Sequence, residues 1–373
     1  METFRINSKL IENEKEILIQ TSNNPAEGTI TSTIYIDGVL TELFKMPHPI
    51  EENPDRIMSL VRSTHGERKE ELEALLAAYR GALSSSEAKE ISELGLALYF
   101  KRFYVEAKDL LRSAVTLDPE FHSARQTLAL VEMELGNLDS AEKNAAESVL
   151  QCPTYADYHN TLGEIHLVQE DYEKAVSAFS EAIKINLYYS RAYFNLGISM
   201  LHRIVSDSKA ETASNEMTRC LDAFRKSAMI DSEYAISPYE QALKALEDSQ
   251  YSSALEQFLA VGQKVKEKIR ADQASYFMHF IVLRDAAEDA SVESRIQYLE
   301  SEINKNPSYV DLYAELAKSY LEQSKKYWQR GISMYRKTLK LNPGYGSARR
   351  CLEEAEKRYG EICNTLDIIA ARS

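Results

Sequence analysis

Small residues and helix-like apolar spacing repeat along the middle of the chain. The first small residue of each unit recurs every 34 positions, at Gly95, Ala129, Gly163 and Gly197. Within half a unit, apolar residues lie three or four positions apart, as with Leu162 and Ile165, which is the spacing of one helix face. A unit of this length holds two helices of about a dozen residues with their turns. We therefore predict consecutive helix pairs.

A second set of small residues follows twelve positions later in the first three units, at Ala107, Ala141 and Ala175. Small side chains at fixed places in both helices allow the two axes to approach closely. Pro119 and Pro153 end the first two units, because proline cannot donate the next backbone hydrogen bond of a helix. Turn residues, such as Gly136-Asn137, separate the two helices.

This arrangement resembles the tetratricopeptide repeat family. The matching residues of one unit are Leu162, Gly163, Tyr172, Ala175, Phe179 and Ala182. The resemblance implies a mainly α fold, a right-handed α-solenoid of helix-turn-helix repeats. We place the four clear repeats at 88–121, 122–155, 156–189 and 190–234. The fourth carries about eleven extra residues around 203–213, either as a projecting loop or as longer helices.

The later units are weaker, and the pattern is irregular over 262–300. They are predicted at 235–268, 276–309 and 310–345. The second of these departs from the pattern at Leu283 and Arg295, where small residues are expected. About seven repeats would then fill 88–345. An amphipathic helix within 346–373 is expected to cap the array and shield its last apolar face.

The N-terminal segment has a different character. Residues 1–50 contain β-branched, alternating runs, and Asp37-Gly38 between two of them indicates a hairpin turn. We predict a small antiparallel sheet of about four strands, which packs on neighbouring helices or another chain. It resembles short extensions of some bacterial repeat proteins, from which no function follows. Connecting helices are predicted over 51–86, at 54–65 and 67–81.

The net charge and the cysteine pattern limit the kinds of partner and the cellular compartment that the sequence predicts. The net charge of −14 disfavours nucleic acid and anionic membrane surfaces. No run of 18 apolar residues predicts a membrane span, and no secretory signal is recognised at the N-terminus. The four cysteines form no C-x-x-C pair, which favours a reducing cytoplasm.

No motif for catalysis, cofactor binding or metal binding is found. Phosphate-loop, dinucleotide, nucleophile-elbow and H-E-x-x-H patterns are absent from the sequence. His159 and His166 lie seven apart, whereas a helical metal pair prefers four. An enzyme fused to repeats, as in O-linked N-acetylglucosamine transferases, would have fewer than about 90 residues left for its catalytic domain. We predict a protein that is not an enzyme and needs no cofactor.

The family resemblance implies a binding groove lined by the first helix of each repeat. The candidate partner-binding residues are Gln126, Met133, Asn160, Glu164, Arg191, Phe194, Asn195 and Ile198. Amides can bond a peptide backbone, arginine can hold a carboxylate, and phenylalanine offers an apolar anchor. Two alternatives stay open: Asn195 can form a helix–helix hydrogen bond, and Arg191 a surface ion pair. The chaperone-tail clamp of some relatives fits poorly, because Ser92 and Thr127 stand at its positions.

Two functions remain from this reasoning. The first is a scaffold or adaptor that binds a partner protein or peptide in the groove. The alternative is a self-assembling structural subunit, a homo-oligomer that uses the N-terminal sheet and the ends of the solenoid. A repeat scaffold does not reveal its partner, because fold and bound partner vary independently.

Overall fold

The computed structural model describes residues 3–12, 14–48, 53–206, 210–278, 288–305, 310–341 and 346–372. Contacts divide the chain into two units, Met1–Leu283 and Arg284–Ser373. The described part is mainly helical and begins with one antiparallel sheet. The predicted fold class is therefore confirmed.

The first unit begins with a four-stranded meander. Its strands are β1 (Arg5–Glu12), β2 (Lys15–Asn24), β3 (Thr29–Ile36) and β4 (Val39–Pro47), paired in that order. Asp37 and Gly38 both have positive φ, 50° and 81°, which is the two-residue hairpin geometry that their sequence indicates. The register pairs Ile19 with Ile34, so alternate apolar residues share one face.

One long helix covers that face of the sheet. Helix α1 (Pro54–Ala82) buries Leu75 against Ile17 and Ile19. The prediction of two helices at 54–65 and 67–81 is wrong. Gly66 lies within the helix and is no terminator, because the packing of one apolar face outweighs the modest helix penalty of a single glycine.

Five helix pairs follow in the first unit. They are α2 (Ala88–Phe100) with α3 (Tyr104–Leu117), α4 (His122–Glu134) with α5 (Leu138–Gln151), α6 (Ala156–Val168) with α7 (Tyr172–Ile185), α8 (Ser190–Ser206) with α9 (Ala210–Ile230), and α10 (Tyr239–Glu247) with α11 (Tyr251–Phe277). The small residues have the predicted effect. A Cβ built at Gly95 would lie 2.8 Å from Leu111, and one at Gly197 2.8 Å from Phe224.

The eleven extra residues of the fourth repeat lengthen both of its helices. Helix α8 has 17 residues where α6 has 13, and α9 has 21 where α7 has 14. Four additional residues in the first helix and seven in the second account for all eleven. Of the two alternatives left open by the sequence, the longer helices are therefore the observed one, and residues 207–209 between them lie outside the described part.

Helix α11 is unusually long, with 27 residues. Its first half pairs with α10, as the second helix of a repeat does. The remaining 19 of its 27 residues, 259–277, which we call its second half, continue past that pair and pack on α2 and α8. The first unit therefore contains a helix that contacts both the first and the fourth pair.

The second unit contains α12 (Glu288–Lys305), α13 (Val310–Leu341) and α14 (Gly346–Arg372), and α13 packs on both of the others. The predicted helix pair at 310–345 is wrong, because α13 is one uninterrupted helix of 32 residues. No glycine, proline or asparagine stands at 322–325, where a turn would fall, so nothing there stops the helix. In the range 276–309, α12 is described, whereas Leu283 and Pro307 lie outside the described residues.

Candidate interaction face

The first helices of the four clear repeats, α2, α4, α6 and α8, form a surface that we call the first-helix face. All eight predicted partner-binding residues belong to α4, α6 or α8. The structure joins them to different neighbours: four form one polar cluster, and the others lie in or beside the apolar core.

The polar cluster joins α6 to α8 around the carboxylate of Glu164. Arg191 donates to both oxygens of Glu164, from Nη2 at 2.8 Å and from Nε at 2.7 Å. The amide of Asn195 donates to Glu164 Oε1 at 2.9 Å and to Asn160 Oδ1 at 3.2 Å. Asn160 in turn donates to Glu164 Oε1 at 2.8 Å. The ion pair and the helix–helix hydrogen bond left open by the sequence are both present.

The electrostatics of this cluster are set by burial and by its own partners. Burial alone would lower the pKa of Arg191, but Glu164 and nearby tyrosines, including Tyr99, raise it above its ordinary value. Arg191 is thus a permanent cation held by a bidentate carboxylate. About a third of its side chain, 34%, remains exposed, so the cluster can still be reached from solvent.

The apolar candidates are buried. Phe194 is 3% exposed, and its ring centroid lies 5.3 Å from that of Phe224 and 4.7 Å from that of Tyr234. A Cβ built at Gly262 of α11 would lie 2.9 Å from the Phe194 ring. Ile198 belongs to the same core. The apolar anchor predicted for a partner is thus already covered by the chain's own α11.

The two remaining candidates lie on α4. Gln126 is buried, and its amide donates to Thr161 Oγ1 at 2.5 Å, which joins α4 to α6. Met133 is partly buried and packs on a small cluster that contains Ala129 and Ile165. In the described part of the chain, no hydrogen bond joins Gln126 or Met133 to the Glu164 cluster.

The second half of α11 is held on the first-helix face by charge. Glu134, the last residue of α4, accepts a hydrogen bond from Lys266 at 2.9 Å and from Arg270 at 3.0 Å. Arg270 is 7% exposed and also donates to Tyr104 Oη at 2.5 Å. Its guanidinium lies over the ring of Tyr99, 5.5 Å from the centroid. Lys266 and Arg270 are four residues apart, so one side of the helix carries both cations.

The end of α11 reaches the first repeat. Glu267 accepts from Arg102 in the turn after α2. Phe277 stacks on Phe100 with centroids 5.5 Å apart, and Met278 joins the core shared by the sheet, α1 and α2. The docked segment is therefore anchored at Phe194, at Glu134 and at Phe100.

Repeat analysis did not predict the α11 residues that contact this face. Gly262, Lys266 and Arg270 lie in the range marked irregular by the pattern, and the repeat pattern gives Glu134 no role. The available signal was weak: a glycine followed at four and eight positions by two basic residues on one helix side.

Neither a metal site nor a membrane-spanning helix is found in the part of the chain that the structure describes. Among the described residues, no group of three or more histidine, cysteine, aspartate or glutamate side chains is placed to hold a metal ion. In the same part of the chain, no helix combines the length and apolarity that a membrane crossing needs.

The fold and the face define a helical-repeat protein whose own helix occupies part of its first-helix face. A tetratricopeptide repeat family model matches residues 156–189, the unit formed by α6 and α7. The unit formed by α6 and α7 therefore matches a tetratricopeptide repeat, as the resemblance drawn from the sequence predicts.

Other proteins are similar to parts of this chain. The TPR repeat-containing thioredoxin TTL4 of Arabidopsis thaliana is 32% identical over 98 residues, which are 26% of this chain. This chain spans 14% of that curated relative's length. The structure of pilF of Pseudomonas aeruginosa is 18% identical to this chain, with a TM-score of 0.38. The match covers 61% of this chain and 97% of pilF. The structure of YrrB, a TPR protein with an unusual peptide-binding site, is 16% identical to this chain, with a TM-score of 0.36. The match covers 53% of this chain and 97% of YrrB.

Proposed function

We propose that the protein is an interaction scaffold that binds a helix of a partner protein on its first-helix face, in competition with the second half of α11. Proteins of this repeat type are in general protein-interaction scaffolds. The observation that carries the proposal is the ion-paired seating of α11 on Glu134, beside the accessible cluster of Arg191 and Glu164.

The seated helix indicates the chemistry of a suitable partner. Gly262 allows the backbone of α11 to approach the ring of Phe194. Lys266 and Arg270 supply two cations to the carboxylate of Glu134. A partner helix with a small residue followed at four and eight positions by basic residues would satisfy the same groups.

Displacement of α11 would begin at its polar contacts with the middle of the face. Around Glu134 these contacts are ion pairs and hydrogen bonds, whereas Val261 and Val265 of the same segment are buried in the apolar core. Water and salt compete with partly exposed ion pairs, whose individual contributions are small. Lys266 keeps 41% of its side chain exposed, which places it among such pairs.

The test uses the full chain and a fluorescent peptide with the sequence of residues 259–278. The double variant Lys266→Glu/Arg270→Glu repels Glu134 and should release α11 from the face. Released chain should bind the wild-type peptide at least about tenfold more tightly than unaltered chain, whose own helix has a large effective-concentration advantage. Fluorescence anisotropy measures both affinities.

A matched peptide carrying the same two glutamates serves as the control and should not bind. Adding Glu134→Lys to the released chain should abolish binding of the wild-type peptide, because the altered α11 can then dock again. Glu134→Lys alone, which repels the unaltered α11, should bind the glutamate peptide instead. Equal, weak binding of both peptides to the released chain would contradict the proposal. Phe194→Ala is unsuitable as a probe, because this ring is part of the core and its loss would cost about 3–5 kcal/mol.

We propose further that the protein has no catalytic activity or cofactor and acts in the cytoplasm on protein partners. The four cysteines, Cys152, Cys220, Cys351 and Cys363, are all free, which fits a reducing setting. Measuring where a tagged full chain localises in cells would test the compartment directly.

A further inference from the structure

Helix α13 carries a regular row of large side chains that face solvent. The row has a spacing of seven residues and consists of Tyr313, Tyr320, Tyr327, Met334 and Leu341. Their exposed fractions lie between 45% and 80%. Seven residues are close to two helical turns, so the five side chains follow one line along the helix.

A second row of small residues runs beside the first. It consists of Ala317, Ser324, Gly331 and Thr338, each four residues after a large one. Alternating steps of four and three residues define the seam of a coiled coil, with one row at position d and the other at position a. We call the two rows together the α13 seam.

The seam lies opposite the side of α13 that packs within the second unit. Among the side chains of α13 that the structure describes, Ser319 and Ile332 are buried, and both point away from the two rows. Gln329 donates to Tyr359 Oη at 2.6 Å, and Arg336 donates to Glu356 at 2.7 Å, which attaches the same side to α14. Among the seam residues, the hydroxyl of Tyr320 donates to Glu300 of α12, while its ring stays 45% exposed.

We propose that the α13 seam is an interface with the α13 seam of a second copy of this chain, packed antiparallel. In antiparallel pairs each a residue meets a d residue of the other helix, so every layer here combines one large and one small side chain. In one register, Tyr327 meets Ser324 of the second copy and Tyr320 meets its Gly331. A parallel pair would instead set tyrosine against tyrosine and glycine against glycine, which leaves crowded layers next to empty ones.

The charges of the helix favour the same orientation. Residues 310–323 contain Asp311, Glu315, Glu322 and Lys318, a net charge of −2. Residues 324–341 contain six lysines and arginines and no acidic residue, a net charge of +6. Antiparallel pairing places the acidic half beside the basic half of the second copy, whereas parallel pairing places the two +6 segments together.

The area available is sufficient for a specific dimer. With Leu321 and Tyr335, each 37% exposed, seven large side chains flank or form the seam. Each leaves roughly 100 Å² for a partner to cover, so two copies would bury about 1,400 Å² together. This lies within the range of about 1,200–2,000 Å² typical of stable interfaces.

The test is the mass of the full chain in solution, measured by sedimentation or light scattering over rising concentration. Wild-type chain should be a dimer at about 100 μM. Tyr327→Lys and, independently, Met334→Lys should each give a monomer with unchanged helical content by circular dichroism. Ser333→Lys, an exposed position off the seam on the same helix, should leave the dimer intact. Wild-type chain that stays monomeric, or seam variants that stay dimeric, would overturn the proposal.

A charge exchange tests the orientation. In the antiparallel register above, Ser324→Glu combined with Tyr327→Lys places each lysine opposite a glutamate of the second copy. The double variant should recover the dimer that Tyr327→Lys loses. In a parallel pair, the same two changes set like charges against each other, so a double variant that remains monomeric would refute the antiparallel arrangement. This outcome is independent of peptide binding on the first-helix face.

Discussion

The backbone of Gly163 lies directly against the ring of Phe179, so that a Cβ at position 163 would come within 2.6 Å of Cε1. Phe179 is fully buried and cannot withdraw. This contact explains in atomic terms why a small residue recurs at this place in each repeat: the second helix contributes a large side chain that fills the space.

Replacing Gly163 by alanine should destabilise the protein. The added methyl group overpacks the α6–α7 interface, with an expected loss of about 1–3 kcal/mol in the free energy of unfolding. Urea denaturation followed by circular dichroism measures this loss. The matched control is Gly66→Ala in α1, where nothing lies within 4 Å of the new Cβ. That change should be neutral or stabilising by up to about 1 kcal/mol, because alanine favours helix.

The docking of α11 on Glu134 should weaken at low pH. Burial raises the pKa of Glu134, but Lys266 and Arg270 outweigh burial and hold it below its ordinary value of 4.5. A carboxyl whose pKa is lowered by folding stabilises the fold above the unfolded pKa, and this contribution is lost as the pH falls through the lower folded value. Glu134→Gln should therefore cost about 1–3 kcal/mol near neutral pH and much less in acid.

Hydrogen exchange along α11 provides a local measure of the same effect. In Glu134→Gln, amides within residues 259–277 should exchange faster, while those of α6 and α7 stay protected. Glu181→Gln is the control, since Glu181 pairs with Lys184 on the surface of α7 and does not contact α11 in the described part of the chain. Equal protection of α11 in both variants would show that the Glu134 contacts do not hold the helix.

The junction between the sheet and α1 should respond to protonation of His65. This ring is hydrogen-bonded to Ser8 Oγ at 2.8 Å and to Thr21 Oγ1 at 3.0 Å. Burial, and secondarily Lys69, lowers its pKa below 6.5. Because the unfolded chain then binds the proton more readily, the free energy of unfolding should fall as the pH drops below 6.5.

Comparing unfolding at about pH 5 and about pH 8 tests this sign. In His65→Gln the difference between the two conditions should shrink. It should not vanish, because burial also lowers the pKa of His202. His159→Gln, outside this junction, should leave the difference unchanged. A pH dependence that is the same in wild type and His65→Gln would contradict the assignment.

The cysteines should differ sharply in reactivity. Burial raises the pKa of Cys220 to about 12, with a smaller effect of Glu216 in the same direction, whereas Cys351 is exposed. The thiolate is the reactive form, so Cys351 should react with a thiol reagent in the folded protein and Cys220 only after unfolding. Mass spectrometry of labelled peptides resolves the two sites. Early labelling of Cys220 would show that α8 and α9 open readily.

Local pattern was sufficient for the elements whose partners are near in sequence. The hairpin at Asp37-Gly38, the helix pairs over 88–234 and the role of Gly95 follow from turn chemistry and from side chains one helix apart. The prediction at 310–345 failed for a local reason as well. The segment resembles a repeat, but no residue able to stop α13 stands where the turn would fall.

The candidate site was predictable only in part. An ion pair of Arg191 was one of the alternatives left open by the sequence, but its partner, Glu164 of the neighbouring repeat, was not predicted. The contacts of Glu134 with Lys266 and Arg270 span more than 130 residues. No repeat period encodes such a contact, because the period describes only how each helix meets the next one.

The passage of α11 from the fifth pair to the first changes how the array can unfold. A simple array of repeats behaves as a linear series, so its terminal repeats fray while the middle persists. Here Phe277 and Met278 tie the last pair to the core of the first. These contacts close the linear series, so neither end of the array can unfold before the contacts of Phe277 and Met278 break. The first unit should consequently melt as one cooperative block.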